Sequence, residues 1–336
     1  MAKTYRNLWS QIANFEALHT AYLAARRGKR YTAQVLRFSA DLEVQLSMLL
    51  DELQSGAYKV GPYRTFWVTD PKAREVAALP FRDRVVQHAL VSAIEPIWEA
   101  RFIHDSYACR VGRGTHAGAN RLTAFLRRGH RMWSQTYVLK GDIKSYFASI
   151  DHVALRGLLS KRIACTETLH LINAIIDSWR PAEGVGIPIG NLSSQLFANV
   201  YLHELDKYVK HVLREQFYLR YMDDFVILSE DKSHLNVIRL RIKEFLQDRL
   251  SLVLNRKTAI FPADCGIDFL GYKIWRTHRL LRKRSIMRMR KKIARFHAGH
   301  ITREEMRASV ASWIGHCGHA DTHTLRSAIL GGIRWQ

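Results

Sequence analysis

Cysteine is scarce in this chain of 336 residues. There are four, Cys109, Cys165, Cys265 and Cys317, with no CxxC pair among them. That scatter argues against a disulfide framework and fits a reducing compartment. Long apolar runs are also missing: no stretch approaches the ~20 apolar residues that a membrane span needs. The opening MAKTYRNLWSQ has no apolar signal-peptide core. No internal repeat and no low-complexity linker interrupts the chain. These absences predict a soluble, intracellular globular protein, and a hydrophobic fraction of 47% is ample for a core.

Acid is the other shortage. Asp and Glu total 30 against 52 Lys and Arg, a formal charge of +22. Such an excess predicts a polyanionic partner, nucleic acid first. The imbalance peaks between Arg276 and Arg303, where eleven basic residues occur and no acid. Leu280, Leu281, Ile286, Met289, Ile293 and Phe296 interrupt that stretch at helical spacing, so it reads as one basic amphipathic helix. A membrane surface is the competing reading of such a helix.

Against that background, three acids stand out. RYMDDFVILS places Asp223 and Asp224 in the turn between two apolar strands, and Asp142 ends the strand TYVLKGDI. Converging carboxylates repel unless they share cations. Magnesium accepts one or two carboxylates together with substrate phosphates, and two ions can clamp both oxygens of an in-line phosphoryl displacement. An isolated Asp-Asp would read only as an exposed turn. Around these acids the order of elements is α+β. Residues 5 to 56 read as helices, residues around Asp70-Pro71 as a hairpin, and DRVVQHALVSAIEPIWEARF as a helix capped by Asp83. GVGIPIGNLSSQ reads as a loop before a long helix, and LVLNRKTAIF and IDFLGYKIW read as strands.

Seven ordered segments then carry a resemblance. PFRDRVVQHAL, YACRVGRGTHAG, LKGDIKSYFASID, GIPIGNLSSQLFANVYLHELD, YMDD, LNRKTAIF and DFLGYKIW resemble the motifs of reverse transcriptases over about residues 60 to 275. The resemblance implies a right-hand polymerase fold, with a helical extension over 1–56 and fingers over 57–135 and 152–186. The palm would comprise 136–151 and 187–275, and a helical basic thumb 276–336. It implies RNA-directed DNA synthesis with two Mg²⁺ ions, Mn²⁺ as a substitute, held by Asp142, Asp223, Asp224 and the main-chain carbonyl of Ile143.

By the same resemblance, Lys72 and Arg74 of the hairpin grip the triphosphate, and Lys257 sits near the departing pyrophosphate. Phe147 is the aromatic gate under the incoming sugar, with Tyr146 competing for that role. Arg110 contacts template or nucleotide from a Gly-rich loop. Leu270, Gly271 and Tyr272 form the primer grip. Arg282, Lys283, Arg284, Arg288, Lys291 and Lys292 lie along the template–primer backbone.

Most members of the family carry Gln before the Gly of the pre-helix motif and Ser-Pro at its end. Here Ile189 precedes Gly190, and Gln195 follows Ser194. This pattern is similar to reverse transcriptases of diversity-generating retroelements, which implies misincorporation at template adenines and a cytoplasmic setting in a bacterial, phage or archaeal host. It also implies a template RNA able to prime its own cDNA, dNTPs, and an oligomeric basic accessory protein, with no membrane partner. Leu8, Ile12, Phe15, Leu18 and Tyr22 would pack on the fingers or on that accessory protein. A retron or group II intron type and a catalytically silent RNA-binding scaffold are the alternatives. His316, Cys317, His319 and His323 suggest zinc only weakly, because no paired-thiol spacing accompanies them.

Overall fold

The computed structural model describes residues 3–69, 73–179 and 182–335. In chain order its elements begin with helices α1 (Phe15–Ala25), α2 (Ala33–Ala40) and α3 (Leu42–Gln54), then strands β1 (Arg64–Val68) and β2 (Arg74–Ala78). Helices α4 (Phe81–Glu99) and α5 (Thr115–Met132), strand β3 (Tyr137–Gly141), and helices α6 (His152–Ser160), α7 (Thr166–Asp177) and α8 (Leu192–Lys207) follow. Strands β4 (Tyr218–Tyr221) and β5 (Asp224–Ser229), helix α9 (Lys232–Leu250), and strands β6 (Ala259–Pro262), β7 (Ile267–Phe269), β8 (Tyr272–Ile274) and β9 (Arg279–Leu281) come next. Helices α10 (Lys283–His297), α11 (Arg303–Cys317) and α12 (His323–Leu330) complete the order. The mixture of helix and sheet is the expected α+β class.

These elements divide between two compact units. One comprises Met1–His104, Ile143–Tyr208 and Ile242–Asn255, and the other Asp105–Asp142, Val209–Arg241 and Arg256–Gln336. In the first unit, α1 packs on α4, and Tyr22, Phe38 and Phe81 form a ring cluster with centroids 5.3–6.1 Å apart. Edge-to-face rings at that spacing stabilise beyond their buried area. Leu8, Ile12, Leu18 and Tyr22 are buried there, while Phe15 is 40% exposed. The N-terminal apolar residues are thus largely occupied within their own unit.

The second unit is built on a four-stranded antiparallel sheet of order β4-β5-β3-β6. A smaller sheet, β7-β8-β9, and helices α5, α10 and α11 share one core with it, including Leu122, Val226, Phe269, Met289 and Trp313. Helix α11 opens with a capping box between Thr302 and Glu305, which satisfies two end amides at once.

Four local expectations need correction. Asp83 does not cap α4: Pro80 occupies that position, and the fully buried Asp83 carboxylate accepts from Tyr58 Oη at 2.7 Å and from the Gly61 amide. The stretch LVLNRK is not a strand; only an isolated bridge between Leu254 and Ile143 forms before β6. The basic stretch after Arg276 is not one helix, because Arg279–Leu281 pairs with β8 and α10 starts only at Lys283. Helix α8 begins at Leu192, so Ser193, Ser194 and Gln195 are helical rather than loop.

Candidate active site

The three acids all lie in the second unit, and the sheet register brings them together. Gly141 of β3 pairs with Phe225 of β5, and Tyr221 of β4 pairs with Asp224. Continuing the first register by one residue sets Asp142 opposite Asp224. The β4–β5 connection is the two-residue turn Met222-Asp223. Opposite residues of an antiparallel pair hold their Cβ atoms about 5 Å apart. All three acids are half-buried.

Gly141 has a steric reason to be glycine. A Cβ there would stand 2.1 Å from Phe225 Cζ, so the Phe225 ring lies flat against the bare strand. That contact pins the strand alignment next to the acids on both sides. Met222 stands in the left-handed region, with φ 54°, which a side chain rarely adopts. The turn therefore needs outside support.

Among the described residues, no three His, Cys, Asp or Glu side chains form a cluster able to hold a metal ion. Magnesium asks for less, one or two carboxylates completed by water and substrate phosphate. Asp142 and the acids of the hairpin fit that requirement as hard oxygen donors on adjacent strands. Ile143 belongs to the first unit and is 2% exposed.

The other expected residues of the second unit are more dispersed. Lys257 is exposed in the turn before β6. Arg110 donates from Nη1 to the Ser106 carbonyl at 2.8 Å. Tyr272 is fully buried, and its hydroxyl meets His316 Nδ1 at 2.9 Å and His116 Nδ1 at 3.1 Å. Leu270 and Gly271, which form the turn of this hairpin, are half-buried, with φ values of 55° and 90°. His116 also stacks on His319 at 3.6 Å. Cys317 is fully buried in the core, whereas His319 and His323 are exposed.

On α10, one apolar face is buried and the basic residues lie mostly outside it, with Met287 exposed among them. Met289, Ile293 and Phe296 are buried, while Lys283, Arg284, Arg288 and Lys291 are exposed. Arg282 caps the helix start and pairs with Asp268. Lys292 and Arg288 line an open cavity of about 450 Å³ between α10 and α11, together with Trp313 and His316.

The first unit holds the remaining candidates. Lys72 lies outside the described residues, and Arg74 is exposed at the start of β2. Tyr146 is 2% exposed and donates to the Ala198 carbonyl at 2.5 Å, whereas its neighbour Phe147 is half-buried. The Ile189 carbonyl accepts from the Ala77 amide at 2.9 Å, fastening the loop to the β1–β2 hairpin. Gly190 stands at φ 118°, and a Cβ there would be 2.8 Å from Val76 Cγ1. Gly190 and Gln195 line a cavity of about 650 Å³ whose walls also carry Lys29, Arg64, Arg84 and His88. Burial lowers the pKa of both Arg84 and His88; for His88 the Lys29 charge adds to it. These four basic residues were not singled out from sequence. The Arg84/His88 spacing of four on one helix face was the available signal.

An antiparallel sheet with acids at a strand end and in the adjoining hairpin turn, flanked by helices, is the palm arrangement of right-hand polymerases. Residues 69–274 match the family described as "Reverse transcriptase (RNA-dependent DNA polymerase)", and the chain belongs to that family. It is 31% identical over 287 residues to Protein YkfC of Escherichia coli, covering 73% of this chain and 74% of that one. It is 25% identical to the Group II intron-encoded protein LtrA of Lactococcus lactis, over 81% of this chain but 57% of LtrA. Among solved structures, telomerase from Candida albicans in complex with a fragment of telomeric RNA shares the fold, with a TM-score of 0.50 at 11% identity. That match covers 88% of this chain and 59% of the telomerase chain. No described helix is long and apolar enough to cross a membrane.

Proposed function

We propose that this reverse transcriptase makes error-prone cDNA from the template RNA of a diversity-generating retroelement. The observation that carries this reading is Ile189 before Gly190 with Gln195 after Ser194, beside a cavity walled by basic residues. Held by Asp142 and Asp223, with Asp224 in support, magnesium would supply Lewis-acid activation of the primer hydroxyl and the α-phosphate. Arg74 grips the triphosphate in bidentate fashion, Lys72 assists it, and Lys257 faces the pyrophosphate. Arg110 steadies the template side, and the exposed bases of α10 follow the duplex backbone without reading sequence.

Ile189 supports infidelity through what it cannot do. Buried polar groups that demand a partner reject wrong substrates strongly, whereas an apolar contact discriminates by only ~1–3 kcal/mol. Ile189→Gln is expected to lower misincorporation at template adenines by about tenfold in sequenced extension products. An unchanged error spectrum would refute the role given to Ile189.

The sugar gate is assigned to Phe147. Tyr146 supports this by its burial and its bond to the Ala198 carbonyl, which occupy it inside the fold. Phe147→Val should admit ribonucleotides roughly tenfold or more better, while Tyr146→Phe leaves sugar selectivity alone. Equal selectivity in Phe147→Val and wild type, read by competing dCTP and CTP, would remove Phe147 from the role.

The likeness to LtrA supports a second reading, a group II intron or retron type of enzyme. Extension of a DNA primer on RNA with Mg²⁺, with and without a small basic accessory protein, separates the readings. Errors concentrated at template adenines support the retroelement assignment, and errors spread evenly support the intron or retron type. No incorporation with any primer, template or partner would leave a silent RNA-binding scaffold.

A further inference from the structure

Behind the acid-bearing turn lies a buried arginine that none of the roles above employs. Arg220, on β4, is 0% exposed and is among the largest fully buried side chains of the chain. Burying a guanidinium is unfavourable unless its donors are satisfied. Its Nη1 donates to the Met222 carbonyl at 2.9 Å, and its Nη2 to Ser106 Oγ at 3.2 Å. Met222 is the left-handed residue that starts the turn, and its carbonyl belongs to the peptide leading directly into Asp223. Arg220 therefore fixes the plane from which the Asp223 side chain departs.

The arginine is itself held on a rigid base. Residues 105–107 run beside the outer edge of β4: the Arg220 amide donates to the Asp105 carbonyl at 2.9 Å, and the Tyr107 amide to the Arg220 carbonyl at 3.0 Å. The Asp105 carboxylate accepts from Arg121 Nε of α5 at 2.7 Å, from Arg121 Nη2 at 3.3 Å, and from Tyr107 Oη at 3.1 Å. A continuous path of hydrogen bonds thus runs from α5 through Asp105 and Ser106 to Arg220 and the turn. Full burial separates Arg220 from any phosphate or template contact.

We propose that Arg220, braced by Ser106, is a positioning residue that sets the Met222-Asp223 turn for metal binding. This rests on the polymerase reading of the acids. A planar fork reaches two acceptors in fixed directions, which a lysine ammonium on a flexible stem does not reproduce. Mispositioning a reacting group by about an ångström slows a reaction by ~10²-fold, and losing an outer support of a metal ligand weakens metal binding by roughly 10–100-fold.

The test uses the full chain as wild type, Arg220→Lys and Ser106→Ala. Each is measured by dNTP incorporation at saturating template–primer and by Mn²⁺ titration of the free protein followed by electron paramagnetic resonance. Arg220→Lys is expected to lower kcat by ~10–100-fold with KM for dNTP near wild type, and to weaken Mn²⁺ binding by about tenfold. Ser106→Ala moves both readouts the same way by less. If Arg220→Lys does not fold, Ser106→Ala decides alone, and wild-type values in both readouts overturn the proposal. A lower melting temperature with unchanged kcat and Mn²⁺ affinity also overturns it, since that is what mere packing would give. If wild type incorporates nothing yet the Mn²⁺ shift persists, the polymerase reading fails and the positioning role stands.

Discussion

Asp223→Asn should extend a DNA primer on an RNA template at least about 10³-fold more slowly than wild type. The reasoning is electrostatic. A divalent ion contributes several kcal/mol to a phosphoryl-transfer barrier, and each 1.36 kcal/mol is tenfold in rate. The amide keeps the shape of the side chain and removes the charge that the proposed metal site requires. Asp142→Asn should behave alike, because Asp142 faces the hairpin acids in the continued β3–β5 register. Affinity for template–primer should change little, since one charge in a chain of formal charge +22 hardly alters the field on a polyanion. Single-turnover extension and fluorescence anisotropy on the same preparations make the comparison. Near-wild-type extension by Asp223→Asn would end the assignment of the acids, and lost binding with a normal rate would relocate their role.

Gly141→Ala is expected to be the most damaging single methyl group in the second unit. Its Cβ would lie 2.1 Å from the Phe225 ring, within a sheet whose neighbours leave no slack. Overpacking of this kind typically costs about 1–3 kcal/mol, or roughly 2–4 °C of melting temperature per kcal/mol in a unit of this size. Activity should fall further than stability alone explains, because the clash pushes apart the two strands that carry Asp142 and Asp224. Phe225→Leu should relieve part of the loss, so the double variant exceeds the sum of the single ones. A thermal melt and an extension rate for the four proteins of that cycle suffice. Additive losses would mean that the ring and the glycine do not act on each other.

Much of this site was legible in sequence because its signals are local. An apolar run, two adjacent acids and another apolar run predict a hairpin, and β4 and β5 form it; its turn is Met222-Asp223, however, so only Asp223 sits in the turn and Asp224 already opens β5, paired with Tyr221. The strand before Asp142 was legible for the same reason. Asp83 misled because an acid near a helix start normally caps it, whereas here a tyrosine hydroxyl 25 residues away takes the carboxylate. Strand β9 was hidden by its bases: Arg279, Leu280 and Leu281 carry no alternation distinct from the helix that follows. Helix α8 begins early, at Leu192, with Asn191 in the N-cap position but its side-chain amide turned to Tyr63 Oη rather than to the helix amides, a partner 128 residues away that the sequence does not reveal. The Arg220–Ser106 contact joins residues 114 apart, and no periodicity or motif encodes such a pairing. The basic cavity beside Gly190 was missed because its walls come from α1, the segment before α2, β1 and α4 at once.

The pairing of β3 with β5 also sets a timetable for synthesis. Tyr137 finds Ser229 as its partner, and the other side of β3 waits for Pro262. At about 5–20 residues per second of chain growth, the 92 residues between Tyr137 and Ser229 (229 − 137) take roughly 5–18 s to emerge. Throughout that interval Val138 and Leu139, both fully buried in the finished sheet, have no strand to cover them. Each newly made molecule thus passes through a period in which an adhesive strand edge is bare. The yield of folded enzyme then depends on how fast the ribosome crosses those residues and on which chaperones reach the nascent chain first.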